Sequence, residues 1–502
     1  MAAESPPSRD AVRLAAAGFV ILGLGLALLG LPTKAARIDT RAFAFLSDDP
    51  RPSITAHNSP AAAVDPSRPS TVAVADKTDT PATGCNVSVS IDDGNNWVPS
   101  DPVPPEPETH CYWPDPAFDS GGNLLVLYTA MRQNFNESAG VYLQRYADNK
   151  PSGAPLAVTG PDAFHARLAV TGDRVLVTWI QMTPATGVAF QAGSAAGSSL
   201  ELAASDDGGR TFRPPVTLST PGQLLLQPTV LVGRGGEVVV GALDLGADLL
   251  DYESQHQGQI GRPYSGRWQV VTYTSIDGGA TFGRRTAVGD VVPAKRIYPD
   301  LGSPTPGFAV DPTSGRIYAT WDSGRGSARD VYLSWSDDAG RSWERATEFS
   351  RRSSQTLPAV GVSPDGRVDL LFYDRSKDPT DVMTEPVLAS SWDRGRTFSD
   401  RSVSGRTFDS RIGFGSLQGL SSLGQQLAVV SERGRALTFW SDTRKGTIED
   451  NNQELALAVV GVVKGGGRRW PLLVLGGLVA LAGLAVAVRG GRQPSSAKPN
   501  SR

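Results

Sequence analysis

Residues 205–212 read SDDGGRTF, and close variants return as SIDDGNNW at 90–97, SIDGGATF at 275–282, SDDAGRSW at 336–343 and SWDRGRTF at 391–398. The shared frame has Ser first, Asp third, Gly fifth, Thr, Ser or Asn seventh, and Trp or Phe last. Asp92, Asp207, Asp277, Asp338 and Asp393 take the third place; Gly94, Gly209, Gly279, Gly340 and Gly395 take the fifth. A carboxylate in such a string can accept backbone N–H groups within the turn, a glycine can adopt positive φ, and the closing ring can tuck between sheets. The string is therefore expected to be a structural staple, repeated because the element that carries it is repeated.

Working outward, residues 55–463 have almost no helical periodicity. They hold short apolar runs bounded by Gly, Pro, Asp and Ser. NLLVLYT (123–129), RVLVTWI (174–180), EVVVGAL (237–243), RIYATWD (316–322) and RVDLLFYD (367–374) each follow a turn such as DSGG or SPDG. They read as second strands of hairpins. Units open near 59, 115, 167, 227, 306, 357 and 417, at spacings of about 50 to 80 residues. Four strands per unit at that period predict an all-β radial propeller, since each small sheet must bury both faces against neighbours. The count reads as seven blades, or six if one unit is an insertion. The last unit lacks an outer strand, and residues 40–55 are expected to supply it and close the ring.

At these strings the chain resembles the Asp-box, or BNR-repeat, proteins of the sialidase-like propeller superfamily, over roughly residues 55–463. The resemblance implies that the box aspartates lie on the periphery and are not catalytic. It also implies three arginines that hold a substrate carboxylate, a Tyr nucleophile paired with a Glu, and an Asp acid/base. Arginine suits that task because its planar fork meets a carboxylate with two hydrogen bonds, which Lys cannot do. The segment SITAHNSPAAAVDP at 53–66, where the first arginine belongs, has His57, Asn58 and Pro60 but no arginine. Arg167 stands beside His165 in FHARLAV, and Arg375 and Arg444 follow the strand ends FYD and WSDT. The candidate catalytic group is Tyr373, Asp374 and Arg375, although neighbours on a strand point to opposite faces unless the strand ends there.

Loops at unit starts and after second strands ring one mouth of a propeller, so polar residues there form the default ligand site. They are His57, Asn58, Asp115, His165, Arg167, Gln227, Asp322, Gln355 and Gln418; the alternative reading is that they satisfy backbone groups at strand ends. His165 and Arg167, two apart on a strand, face the same way. The insertion at 244–268 gathers Asp244, Asp248, Asp251, Glu253 and His256, as a cation site, a lid or a solvated loop. The box strings do not read as EF-hands, which need a later Glu ligand, so no metal and no cofactor is assigned.

Residues 14–31 and 470–488 are uncharged apolar runs of spanning length, read as transmembrane helices, the first alternatively as a cleaved signal peptide. Segment 1–13 would then be cytoplasmic, 32–54 a linker with the closing strand, 464–469 a short linker, and 489–502 a basic cytoplasmic tail. This places residues 55–463 on the extracytoplasmic side of the cell membrane, where Cys85 and Cys111 suit one disulfide. The 48 basic and 51 acidic residues nearly cancel, which excludes an electrostatic footprint for nucleic acid. The expected function is recognition of a glycan, envelope or protein ligand; the alternative is a tethered exo-sialidase-type glycoside hydrolase.

Overall fold

The structure, a computed structural model, describes residues 36–47, 53–108, 110–132, 137–182, 198–246, 266–292, 305–325, 328–414 and 421–464, and short helical pieces at 17, 20–22, 478–482 and 484–485. The chain falls into two compact units, Ile38–Val463 and a second made of Met1–Arg37 with Lys464–Arg502. Among the described residues no helix is long and apolar enough to cross a membrane. The expected spans 14–31 and 470–488 lie largely outside the described residues, and within them Ile21, Leu22, Leu478, Leu481 and Leu484 are exposed.

Ile38–Val463 is a seven-bladed propeller: seven antiparallel sheets, each with a path of four strands. The inner strands are His57–Val64, His110–Phe118, Ala163–Thr171, Leu225–Val232, Gly307–Val310, Gln355–Val362 and Ala428–Glu432, in blades 1 to 7. Six of these begin close to the expected unit openings. The seventh starts after 427 rather than near 417, and residues 415–420 lie outside the described residues. Second strands such as Val238–Asp244 and Val368–Asp374 are buried along their whole length, which explains their unbroken apolar runs. Blade 7 closes the ring as expected, with an earlier strand: Ala36–Phe45 pairs as its outer strand with Glu454–Lys464. Leu46 N–H donates to Leu455 O at 2.7 Å, and Phe43 packs on Trp440 at 5.8 Å, so the N-terminal strand covers what would be a bare sheet edge.

The repeated strings are the turns after third strands, and in each the Ser hydroxyl accepts from the fifth-place Gly N–H while the Asp carboxylate accepts from the amide and side chain of the seventh residue. In blade 3 the Ser205 hydroxyl accepts from Gly209 N–H at 2.9 Å, while Asp207 Oδ1 accepts from the amides of Arg210 and Thr211, both at 2.9 Å. Thr211 Oγ1 donates to Asp207 Oδ2 at 2.6 Å. Those donors, the threonine hydroxyl first, hold Asp207 and Asp277 well below the usual carboxylate range. The fifth-place glycines have φ of 75 to 89°. The fourth place is left-handed too, even where it is Asp93, Ala339 or Arg394, a feature the eight-residue frame does not advertise. Each turn also docks on the preceding blade: a Cβ on Gly94, Gly209 or Gly395 would meet Leu437, Leu143 or Leu333 within 2.9 Å. Cys85 and Cys111 form the expected disulfide, tying the third strand of blade 1 to the inner strand of blade 2.

Candidate functional site

The mouth at which inner strands begin is built on a repeated irregularity. In blades 1, 2, 3, 4 and 6 the inner strand slips register at Asn58/Ala61, Tyr112/Asp115, Phe164/Arg167, Leu226/Thr229 and Thr356/Ala359. The first bulged residue is left-handed in each: Ser59, Trp113, His165, Gln227 and Leu357, with φ of 50 to 60°. The next residue is proline in four of them, which fits, because a bulge interrupts the ladder where proline has no N–H to give. Thr305-Pro306 stands at the same place in blade 5.

Several of these residues meet in one network. Gln227 Oε1 accepts from Thr305 Oγ1 at 3.1 Å and faces His165 Nδ1 at 3.3 Å; its Nε2 donates to Gln425 Oε1 at 3.0 Å. Gln425 N–H donates to Ser59 Oγ at 3.0 Å, and Gln426 Nε2 donates to Pro60 O at 3.0 Å. The Arg167 guanidinium donates to Gln426 Oε1. Blade 7 thus joins blades 1, 3 and 4 through two glutamines. Gly424 permits this, having φ 96° and Ser59 within 2.8 Å of any Cβ. The Trp113 ring lies 5.0 Å from His165 and 5.4 Å from the Arg167 guanidinium. Asp115 Oδ2 accepts from Leu168 N–H at 2.8 Å, and Oδ1 stands 3.8 Å from Arg167. Burial, with the charges of Arg167 and Lys77, pulls His165 down to about 4, and burial raises Asp115.

The remaining candidates fall in two other groups. His57 Nδ1 meets Asp76 Oδ2 at 2.7 Å, and Asn58 donates to Asp79 at 2.8 Å. Lys77 donates to Asp79 at 2.7 Å and stands 4.6 Å over the Tyr112 ring; burial lowers Lys77 and raises Tyr112. In blades 5 to 7, Asp322 accepts from Leu357 N–H at 2.8 Å and pairs with Arg329, while Asp374 accepts from Gln355 at 3.1 Å and pairs with Arg351. Tyr373 is fully buried and donates its hydroxyl to Ser441 O at 2.8 Å, between blades 6 and 7. Arg375 is buried beside it, its amide on Ser354 O at 3.0 Å. Arg444 grips Asp442 with Nε at 2.8 Å and Nη2 at 2.7 Å.

The structure therefore brings His165, Arg167, Gln227 and Asp115 together, sets His57 with Asn58 beside blade 2, and gathers Asp322, Gln355, Asp374 and Arg375 at blades 5 and 6. Gln418 lies outside the described residues, as do Asp248, Asp251, Glu253 and His256, while Asp244 pairs with Arg285 at 2.8 Å. Sequence reading missed Ser59, Trp113, Thr305, Gln425 and Gln426. The residue-proline pairs within strand-like runs were the available signal for the first three; nothing local marks the glutamines. Among the described residues no three His, Cys, Asp or Glu side chains are placed to hold a metal ion.

No protein-family model matches the chain, and no curated protein matches it. Solved structures similar to it include a protein of unknown function from Dyadobacter fermentans, at 13% identity over 85% of this chain and 99% of that one, with a TM-score of 0.46. A Hadza microbial sialidase is similar at 15% identity over 77% of this chain and 73% of that one, TM-score 0.44. An ulvan lyase of polysaccharide lyase family 25 is similar at 10% identity over 82% of this chain and 95% of that one, TM-score 0.48.

Proposed function

We propose that this chain is a membrane-anchored, extracytoplasmic Asp-box propeller that recognises a glycan, cell-envelope or protein ligand at the mouth where its inner strands begin, and that it does not hydrolyse sialosides. The observation that carries this reading is the state of the arginines. Arg444 is gripped by Asp442, Arg351 by Asp374 and Arg329 by Asp322, and Arg167 lies against Asp115. A carboxylate-binding arginine must present its fork to the ligand; Arg444, Arg351 and Arg329 would each have to break an ion pair within the propeller first, at a cost of several kcal/mol (~3–5), and the charge of Arg167 is offset by Asp115. Tyr373, the tyrosine beside acid, spends its hydroxyl on a neighbouring blade's carbonyl. The apolar runs 14–31 and 470–488 support anchoring by their length and lack of charge.

The test uses the full-length chain in detergent with a fluorogenic sialoside, beside Arg167→Ala and Tyr373→Phe variants. No turnover is expected from any of them. Turnover by the wild type that both substitutions abolish would establish a tethered glycosidase instead. A binding screen against glycans and envelope fractions follows, with retention on at least one fraction expected.

A further inference from the structure

Beside Gln426 lies a cavity of about 220 Å³ lined by residues from all seven blades. Its walls are small: Ala61, Gly307 and Ala359 keep the bore open where larger side chains would fill it. Polar groups enter it from Asp115, Arg167, Thr305 and Gln426. The first two are short of partners. Arg167 is only 8% exposed, yet among the described residues its guanidinium has one hydrogen-bond acceptor, Gln426. Among the described residues Asp115 Oδ1 meets no donor closer than Arg167 at 3.8 Å. Guanidinium and carboxylate groups largely withdrawn from water normally hold several hydrogen bonds each, so the capacity left over here faces the cavity they line.

We infer that this axial cavity is a binding site for a small uncharged polyol, such as one neutral sugar unit, held by hydroxyls placed between Asp115 and Arg167. The inference rests on the recognition reading above and names its ligand class. Charge decides against an anion: the Arg167 charge is cancelled within the same cavity by Asp115, so a carboxylate ligand would meet a carboxylate. A hydroxyl, by contrast, donates to Asp115 Oδ1 and accepts from Arg167 in one contact, and a vicinal pair satisfies both groups. Size agrees, since the volume is several times the ~30 Å³ share of one water but below the ~300 Å³ at which drug-sized pockets begin.

The test is saturation-transfer NMR and calorimetry on the full-length chain in detergent, with D-galactose, myo-inositol and glycerol as neutral probes and N-acetylneuraminate as the anionic one. Binding of at least one neutral probe is expected, with N-acetylneuraminate at least tenfold weaker. Arg167→Ala should weaken the neutral probe about tenfold or more. Asp115→Asn keeps an oxygen for Leu168 N–H while leaving Arg167 uncancelled, so it should shift preference toward N-acetylneuraminate. Ala359→Leu, which touches neither polar group, should abolish binding with the fold retained by circular dichroism. Failure of every neutral probe, or tighter binding of N-acetylneuraminate by the wild type, would overturn the inference. Envelope or glycan binding that survives Ala359→Leu would overturn it too while leaving the broader recognition reading standing.

Discussion

His165 shows how one half-buried side chain ties mouth geometry to solution behaviour. Its ring lies between Trp113 and Gln227, and desolvation together with the charges of Arg167 and Lys77 holds it down to about 4. An unfolded-state histidine titrates near 6.5. Between those values the unfolded chain binds a proton that the folded one refuses, so folding stability falls as pH drops from about 6.5 to about 4. At 1.36 kcal/mol per unit the contribution reaches about 3 kcal/mol. Urea midpoints measured at pH 7 and pH 4.5 should show this loss, and His165→Gln should flatten that part of the profile. A variant profile as steep as the wild type would assign the acid sensitivity elsewhere. Tyr373 illustrates the opposite limit of residue-level reading: its place beside Asp374 reads as chemistry, but its surroundings are packing, with Phe408 edge-on at 6.0 Å.

At the scale of the element, the repeated turn is a joint between blades as much as a cap on its own strand. Gly209 needs its lack of a side chain twice, once for φ 75° and once because Leu143 of blade 2 would lie 2.7 Å from a Cβ. Gly222 has φ 86° but nothing within 4 Å. Gly222→Ala should therefore cost only the left-handed backbone penalty, about 1–2 kcal/mol. Gly209→Ala should cost at least about 1 kcal/mol more through overpacking against blade 2. Equal losses in chemical denaturation would mean that the interblade contact yields freely. The turn was legible because its bonds run between residues two to four apart, from Ser205 and Asp207 to Gly209, Arg210 and Thr211. The inner-strand bulges were not, because a proline in a strand-like run announces a break in the ladder without saying where the displaced side chain will point.

For the whole molecule, the outer strand of blade 7 decides whether the ring is closed. Deleting residues 1–46 would strip Ala36–Phe45 from Glu454–Lys464 and bare an eleven-residue edge whose first nine residues are buried. The truncated chain should lose several degrees of thermal stability and self-associate, as exposed apolar edges do, and light scattering during a thermal ramp checks it. A monomeric truncation with unchanged melting would show that the closing strand is dispensable. Sequence by itself determined the blade and its repetition, because the repeated turn and a hairpin are specified within a dozen residues, and it also pointed to the N-terminal closing strand through the missing outer strand of the last unit. Only the tertiary structure decided what the mouth can do. Arg167 meets Gln426 across 259 positions and Gln227 meets Gln425 across 198, so whether an arginine is offered to a ligand or already engaged depends on side chains that share no local pattern with it. Periodicity determines which residues repeat, but the partner of a buried charge is chosen by whatever the closed ring brings within hydrogen-bond reach.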